Sequence, residues 1–150
     1  MKKNLFNAAA AESIIQRVQQ LQPDTAPLWG KMNATEMLRH CNSCNAEILE
    51  QERGDKKTTV KQFLLRILAL YLAPNFAKGI SSEPHHNFAG KVDSSQFEPQ
   101  KGAFIRLIRE LHATKRPLTL THPAFGNIST REWGIAAYKH MDHHLRQFGV

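Results

Sequence analysis

Apolar residues recur at three- and four-residue spacing along most of this chain, and stretches alternating apolar with polar are scarce. The pattern predicts an all-α fold. A first helix is expected over residues 8–21, with Ile14, Ile15, Val18 and Leu21 on one stripe. Asn7 suits its N-cap, and Pro23 ends it. A turn with Pro27, Trp29 and Gly30 leads to a second helix over 33–52. There Asn33 and Glu36 have capping-box spacing, and Met37, Cys41, Cys44 and Ile48 form the stripe, with His40 on its shoulder. Beyond a polar break at 53–57, a third helix starts at Thr58 or Thr59 and runs to about 72. It is apolar nearly all round (Val60, Phe63, Leu64, Ile67, Leu68, Tyr71), which predicts a central helix packed on two sides. A long irregular connection follows at 75–99, of the kind that is functional or mobile in a compact domain. A fourth helix spans 99–114, with Pro99 suited to its first turn. After a second connection at 116–127 comes a fifth helix over 129–148. Its start is a capping box of Ser129 and Glu132, and Trp133, Ala137, His140, His144 and Phe148 share one face. Capped helices joined in this way predict a four-helix bundle with an accessory helix and one long irregular connection, in a single domain over 1–150.

Composition narrows the class. The chain is 41% hydrophobic and 22% charged, as soluble globular proteins are. Its net charge of +7 permits nucleic acid, an acidic surface or an anionic small molecule as partner. The basic residues are dispersed rather than gathered with aromatics, so nucleic acid is disfavoured; a basic helical nucleic-acid-binding domain is kept as the third reading. The two cysteines, Cys41 and Cys44, do not support a secreted disulfide scaffold. They form a CxxC in mid-helix rather than at an N-terminus, which reads as two small core residues, with a His40/Cys44 contribution to a metal as the alternative. The apolar run near the N-terminus is too short for a signal peptide. The most apolar stretch, 63–73, carries Arg66 and is too short to span a bilayer. The expected location is the cytoplasm, away from membranes, and exposed bundle faces leave room for a homodimer.

The chemistry concentrates in the histidines. His140 and His144 lie four apart on one helical face, so two imidazoles stand one turn above the other, the geometry a divalent metal asks of a helix. His40 lies beside the apolar stripe of another bundle helix and supplies a third ligand. Three neutral imidazoles leave a fourth position open, as in catalytic rather than structural sites. Taken singly, each is more often a core histidine. His143 points to one side of the pair, Asp142 to the opposite face, and Glu47 to the His40 side, where a solvated carboxylate is the plainer reading. Gln147, one turn after His144, either hydrogen-bonds a ligand or is a solvated helix end. His122, in His-Pro-Ala-Phe-Gly126, is either a proton shuttle at the site mouth or a loop-packing residue. His85 and His86 fall in the long polar connection and are expected to be solvated, with that loop lying over the site as the alternative.

Two segments carry a family resemblance. His140-Met-Asp-His-His-Leu-Arg-Gln147 resembles the H-x-x-H-H-x-x-Q segment on the last bundle helix of the DinB/YfiT-like superfamily. The stretch from Trp29 to His40 is similar to the segment ending in that superfamily's first metal histidine. The flanks around His122-Pro-Ala-Phe-Gly126 and Arg146-Gln-Phe-Gly149 resemble one branch of unknown function. The resemblance implies a four-helix bundle of up-down-down-up type and a divalent ion, zinc or nickel, on His40, His140 and His144. It also implies, for some members, transferase chemistry with a low-molecular-weight thiol. The expected protein is thus a metal-dependent transferase or hydrolase acting on a small molecule, with a non-catalytic metal-binding or interaction bundle as the alternative.

Overall fold

A computed structural model describes residues 3–50 and 57–150. The expected second-helix end at 51–52, and the polar break as far as 56, lie outside them. The fold is all-α. Among the described residues there are five α-helices: α1 (Ala8–Gln20), α2 (Ala34–Glu50), α3 (Val60–Arg66), α4 (Phe97–Ala113) and α5 (Thr130–Gln147). A two-residue hairpin, β1 (Thr121–His122) with β2 (Gly126–Asn127), is the minimal sheet.

The caps are those the sequence specifies. The Asn7 side chain accepts from Ala10 N at 3.1 Å. Asn33 and Glu36 exchange reciprocal bonds, each of 2.9 Å, at the start of α2. Thr59 with Gln62, and Ser129 with Glu132, close complete capping boxes on α3 and α5. Each box satisfies backbone N–H groups that the first turn would otherwise leave unpaired.

Four helices close a ring in which α1 packs on α4 and α5, and α2 packs on the same two. Its interior holds Ile14 and Val18 from α1, Met37 and Leu38 from α2, Phe104 and Ile108 from α4, and Met141 and Leu145 from α5, all fully buried. Burial of each such side chain stabilises by about 1.5–3 kcal/mol. α2 and α5 are neighbours in this ring, and that adjacency brings their histidines together.

The third helix departs from expectation. It is not central: none of the residues in α3 is buried, and Val60, Leu64, Leu68 and Leu72 form an exposed row. At Ile67 the helix widens into a π-helical turn that runs to Leu72, and Leu70 is the one residue there that is buried. Lys139 of α5 reaches across to this turn and donates to the carbonyls of Ala69 and Ala73. Tyr71 donates to Glu132 at 3.1 Å, and Arg66 pairs with the same carboxylate at 3.5 Å. The segment is thus moored to α5 through one edge. Its apolar composition exceeds what one edge can bury, and none of the described elements covers the other side.

The connection at 75–99 is ordered by short turns, Pro84–His86 and Ser94–Gln96. It is tied back to α2, where Gly90 N donates to the free oxygen of the capping Glu36 at 2.6 Å. The fourth helix begins at Phe97, earlier than the proline alone suggests. The turn before it is fixed by the Asp93 side chain, which accepts from Ser95 N at 2.8 Å.

Candidate metal centre

His40 of α2 and His140 and His144 of α5 meet between the two helices. His140 Nε2 lies 3.0 Å from His40 Nε2 and 3.1 Å from His144 Nε2. His40 and His144 are buried, while His140 keeps an edge accessible to solvent. The i, i+4 spacing on α5 supplies the pair, and the packing of α2 on α5 supplies the third ring.

The outer nitrogens decide what the inner ones can do. His40 Nδ1 stands 2.8 Å from the carbonyl oxygen of His86, which only accepts, so Nδ1 carries the proton. His144 Nδ1 stands 2.8 Å from Gln147 Oε1. The amide is oriented by its other end, since Gln147 Nε2 donates to the Trp29 carbonyl at 2.7 Å. His144 Nδ1 is therefore also a donor. Both rings turn a bare Nε2 lone pair toward His140, whose Nε2 carries at most one proton and so satisfies at most one of them.

Electrostatics act in the same direction. Burial lowers the pKa of His40, against the opposing pull of its bond to His86. Burial, and then His144 and His40, hold His140 well below the ordinary imidazole value. Burial, with His40 next, brings His144 down to about 3. The cluster is uncharged at neutral pH, with its lone pairs available.

The two separations about His140 can be set against those a metal ion imposes. Nitrogens bonded at about 2.0–2.1 Å around a tetrahedral ion stand about 3.3 Å apart, and the observed separations of 3.0 and 3.1 Å lie within a few tenths of that. Two of the rings also have their far nitrogens on a carbonyl or amide oxygen, as metal-bound histidines do. Among the described residues, the set at this place whose ligand atoms all lie within 4.8 Å of one another is His40, Cys44 and His140, a set that does not include His144. Cys44 is only partly buried and Cys41 fully so; both are free thiols. Burial, then Glu47 and Glu83, push the Cys44 thiol up to about 12, so it is protonated at neutral pH.

The remaining histidines fall elsewhere. The His122 Nδ1 accepts from Ala124 N at 3.1 Å and Phe125 N at 3.2 Å, and its ring stacks on Phe125 with centroids 4.1 Å apart. That holds the hairpin turn together, and burial lowers its pKa to about 4. His143 sits edge-on to Trp29, centroids 5.7 Å apart. Asp142 faces away and pairs with Arg17 at 2.7 Å and Arg146 at 3.0 Å. Glu47 is not a solvated partner of His40; it binds His86 at 2.7 Å, and His86, expected in solvent, is 6% exposed. Neither the His86 carbonyl nor the Trp29 carbonyl has a sequence signal, because both are backbone groups of irregular segments. Gly30 is the one local clue. Its φ of +84° favours glycine, and a Cβ there would lie 2.5 Å from Gln147 Nε2.

Two surface hollows lie apart from this cluster, one on α4 around Gly102, Ile105 and Arg109, the other beside α3 around Thr59 and Phe63. Both are shallow grooves between surface side chains and hold no comparable set of lone pairs.

Fold and site together define a class: a four-helix bundle with an accessory helix and a neutral histidine cluster between two of its helices. More particularly, the chain belongs to the DUF1569 family, described as a protein of unknown function, whose model matches residues 2–149. No curated protein and no solved structure matches it.

Proposed function

We propose that this protein holds one divalent transition ion on His40, His140 and His144 and acts as a metal-dependent transferase or hydrolase on a small molecule. The observation that carries the reading is the approach of the His40 and His144 Nε2 atoms to His140 Nε2, both fixed as bare lone pairs, by the His86 carbonyl and Gln147. An all-imidazole donor set suits zinc or nickel. The resemblance of the 140–147 segment to DinB/YfiT-like proteins supports the same ions. When bound, the ion supplies Lewis acidity, lowering the pKa of a thiol or water in its open position.

The chain's own residues do the positioning. Gln147 holds His144 in one tautomer and is itself anchored on the Trp29 carbonyl. The His86 carbonyl does the same for His40. The net charge of +7 favours an anionic substrate, such as a low-molecular-weight thiol. His122 is assigned to packing, because its Nδ1 is spent on the hairpin.

The test is elemental analysis of protein purified without a histidine tag, beside the double variant His140→Ala/His144→Ala. Near-stoichiometric zinc or nickel, lost in the variant, is expected. No metal in the wild type, with no uptake and no thermal shift on adding either ion, removes the reading. A second reading rests on the nearness of Cys44 to His40 and His140: the thiol closes the site, which is then structural. The variant Cys44→Ser separates the two. Retained metal keeps the open site; lost metal makes it closed.

A further inference from the structure

A second group of ligand atoms lies on the other side of His86. Glu47 of α2 presents one carboxylate oxygen to each of two imidazoles. Oε2 is 2.7 Å from His86 Nε2, and Oε1 is 3.5 Å from His85 Nε2. The three residues bring their donor atoms within 4.8 Å of one another. Pro84 opens the short turn that carries both histidines, and the two rings stand with centroids 3.9 Å apart. The far nitrogen of His86 is also engaged, 2.8 Å from the Ser43 hydroxyl. The Glu47 carboxylate only accepts, so His86 Nε2 donates to it and Nδ1 accepts from the Ser43 hydroxyl; an ion taking Nε2 would move the proton to Nδ1, toward that hydroxyl.

We infer that Glu47, His85 and His86 form a second, outer site for a divalent transition ion. An ion there would replace the proton between Glu47 and His86 and gather both imidazoles and the carboxylate on one centre. Two nitrogens and one carboxylate oxygen select zinc, nickel, cobalt or copper over magnesium or calcium, which take oxygen ligands. Ser43 plays the outer partner that metal-bound histidines ordinarily have. Glu83 adds negative charge on the same side, being near enough to Cys44 to act on its thiol together with Glu47. The site is open to water: the His85 side chain is 57% exposed and that of Glu47 22%. It therefore binds more weakly than the buried cluster and exchanges its ion with solvent. His86 is shared by both places, through its ring to the outer site and through its carbonyl to His40.

The experiment is a competition titration of metal-free, untagged protein with zinc against a chromophoric chelator. Wild type, Glu47→Gln/His85→Ala and His140→Ala/His144→Ala are compared. Glu47→Gln keeps an acceptor for His86, and His85 is exposed, so the outer variant retains the fold. The expected result is two classes of site in wild type. The weaker class falls about tenfold or more in affinity in the outer variant, since loss of a ligand costs at least as much as loss of a supporting bond. The same weak class persists in the inner variant. An outer variant that titrates like wild type overturns the proposal, whatever the inner variant does. Failure of the buried site is read separately, as a tight class that is missing from wild type or survives His140→Ala/His144→Ala.

Discussion

α5 and α3 both start with a complete capping box, Ser129 with Glu132 in one and Thr59 with Gln62 in the other. They then part company. α5 buries eleven of its residues, among them Trp133, Lys139, His144 and Gln147, while α3 buries none. Yet α3 and the turn after it are the more apolar by composition. What separates them is the number of neighbours. α5 packs on both α1 and α2. α3 leans on α5 through the turn that follows it, and on the hairpin through Gln62, which donates to the Pro123 carbonyl at 2.9 Å. A capping box starts a helix wherever it lies; surrounding elements decide whether the helix becomes core. α5 can therefore carry buried polar groups, because its neighbours supply their partners.

The largest expected contrast comes from one aromatic in each helix. Trp133 is 4% exposed, and its indole N–H donates to the Leu120 carbonyl at 3.0 Å. Phe63 is 46% exposed and lies under the Arg66 guanidinium. Trp133→Ala should cost about 3–5 kcal/mol, and Phe63→Ala under about 1 kcal/mol, both read by chemical denaturation. Comparable losses in the two variants would mean that α3 is covered in solution, and the contrast would fail.

The hairpin between the two helices gives the next effect. His122 accepts two backbone N–H groups there and has a folded pKa of about 4 against an ordinary 6.5. Between those values the unfolded chain takes up a proton that the folded protein refuses. Stability is therefore full above pH 6.5 and is lost as the pH falls toward 4. At about 1.4 kcal/mol per pH unit, the loss from this group is at most about 3.5 kcal/mol. Denaturation at pH 7 and pH 4.5 should show it in metal-free protein. His122→Asn should reduce that dependence by this group's share, the rest coming from His40, His140 and His144, and an unchanged slope would exclude His122 as a contributor.

The Gln147 contact tests the polar side of α5. Gln147→Ala removes the acceptor that fixes the His144 tautomer, and metal affinity should fall about 10–100-fold. His144 itself stays, so the ion should still bind. Unchanged affinity would show that His144 needs no outside support.

The helices, their caps and the His140/His144 pair were legible because helical spacing is a local property, while His40, 100 positions from His140, joined them through the family resemblance. Asn33 with Glu36 and Ser129 with Glu132 are three apart, and His140 with His144 four apart, so sequence alone puts each pair side by side. The rest depends on contacts between distant segments. Whether an apolar helix is central or peripheral is set by what packs on it, so the exposed row of α3 carries no local mark. The same holds for His86, which is 46 positions from the His40 ring its carbonyl orients and 39 from the Glu47 that binds it. A polar connection read as solvated thus supplies a wall of the site. Gln147 was legible as a neighbour of His144, but the Trp29 carbonyl that orients it was not.

The smallest expected effect is the sharpest test of the α3 side. Leu64 is 61% exposed and Leu68 53%, and both belong to the unpartnered row. Glutamine has nearly the helix propensity of leucine, so Leu64→Gln/Leu68→Gln changes surface character and little else. Surface substitutions of this kind shift stability by about 0.5 kcal/mol or less each. The double variant should therefore unfold within about 1 kcal/mol of wild type, at a midpoint that does not depend on protein concentration. Loss of several kcal/mol, or a midpoint that rises with concentration in wild type alone, would mean that a second copy buries the row. α3 would then differ from α5 only in which chain supplies its neighbours, and the number of contacts within one chain would no longer explain the contrast.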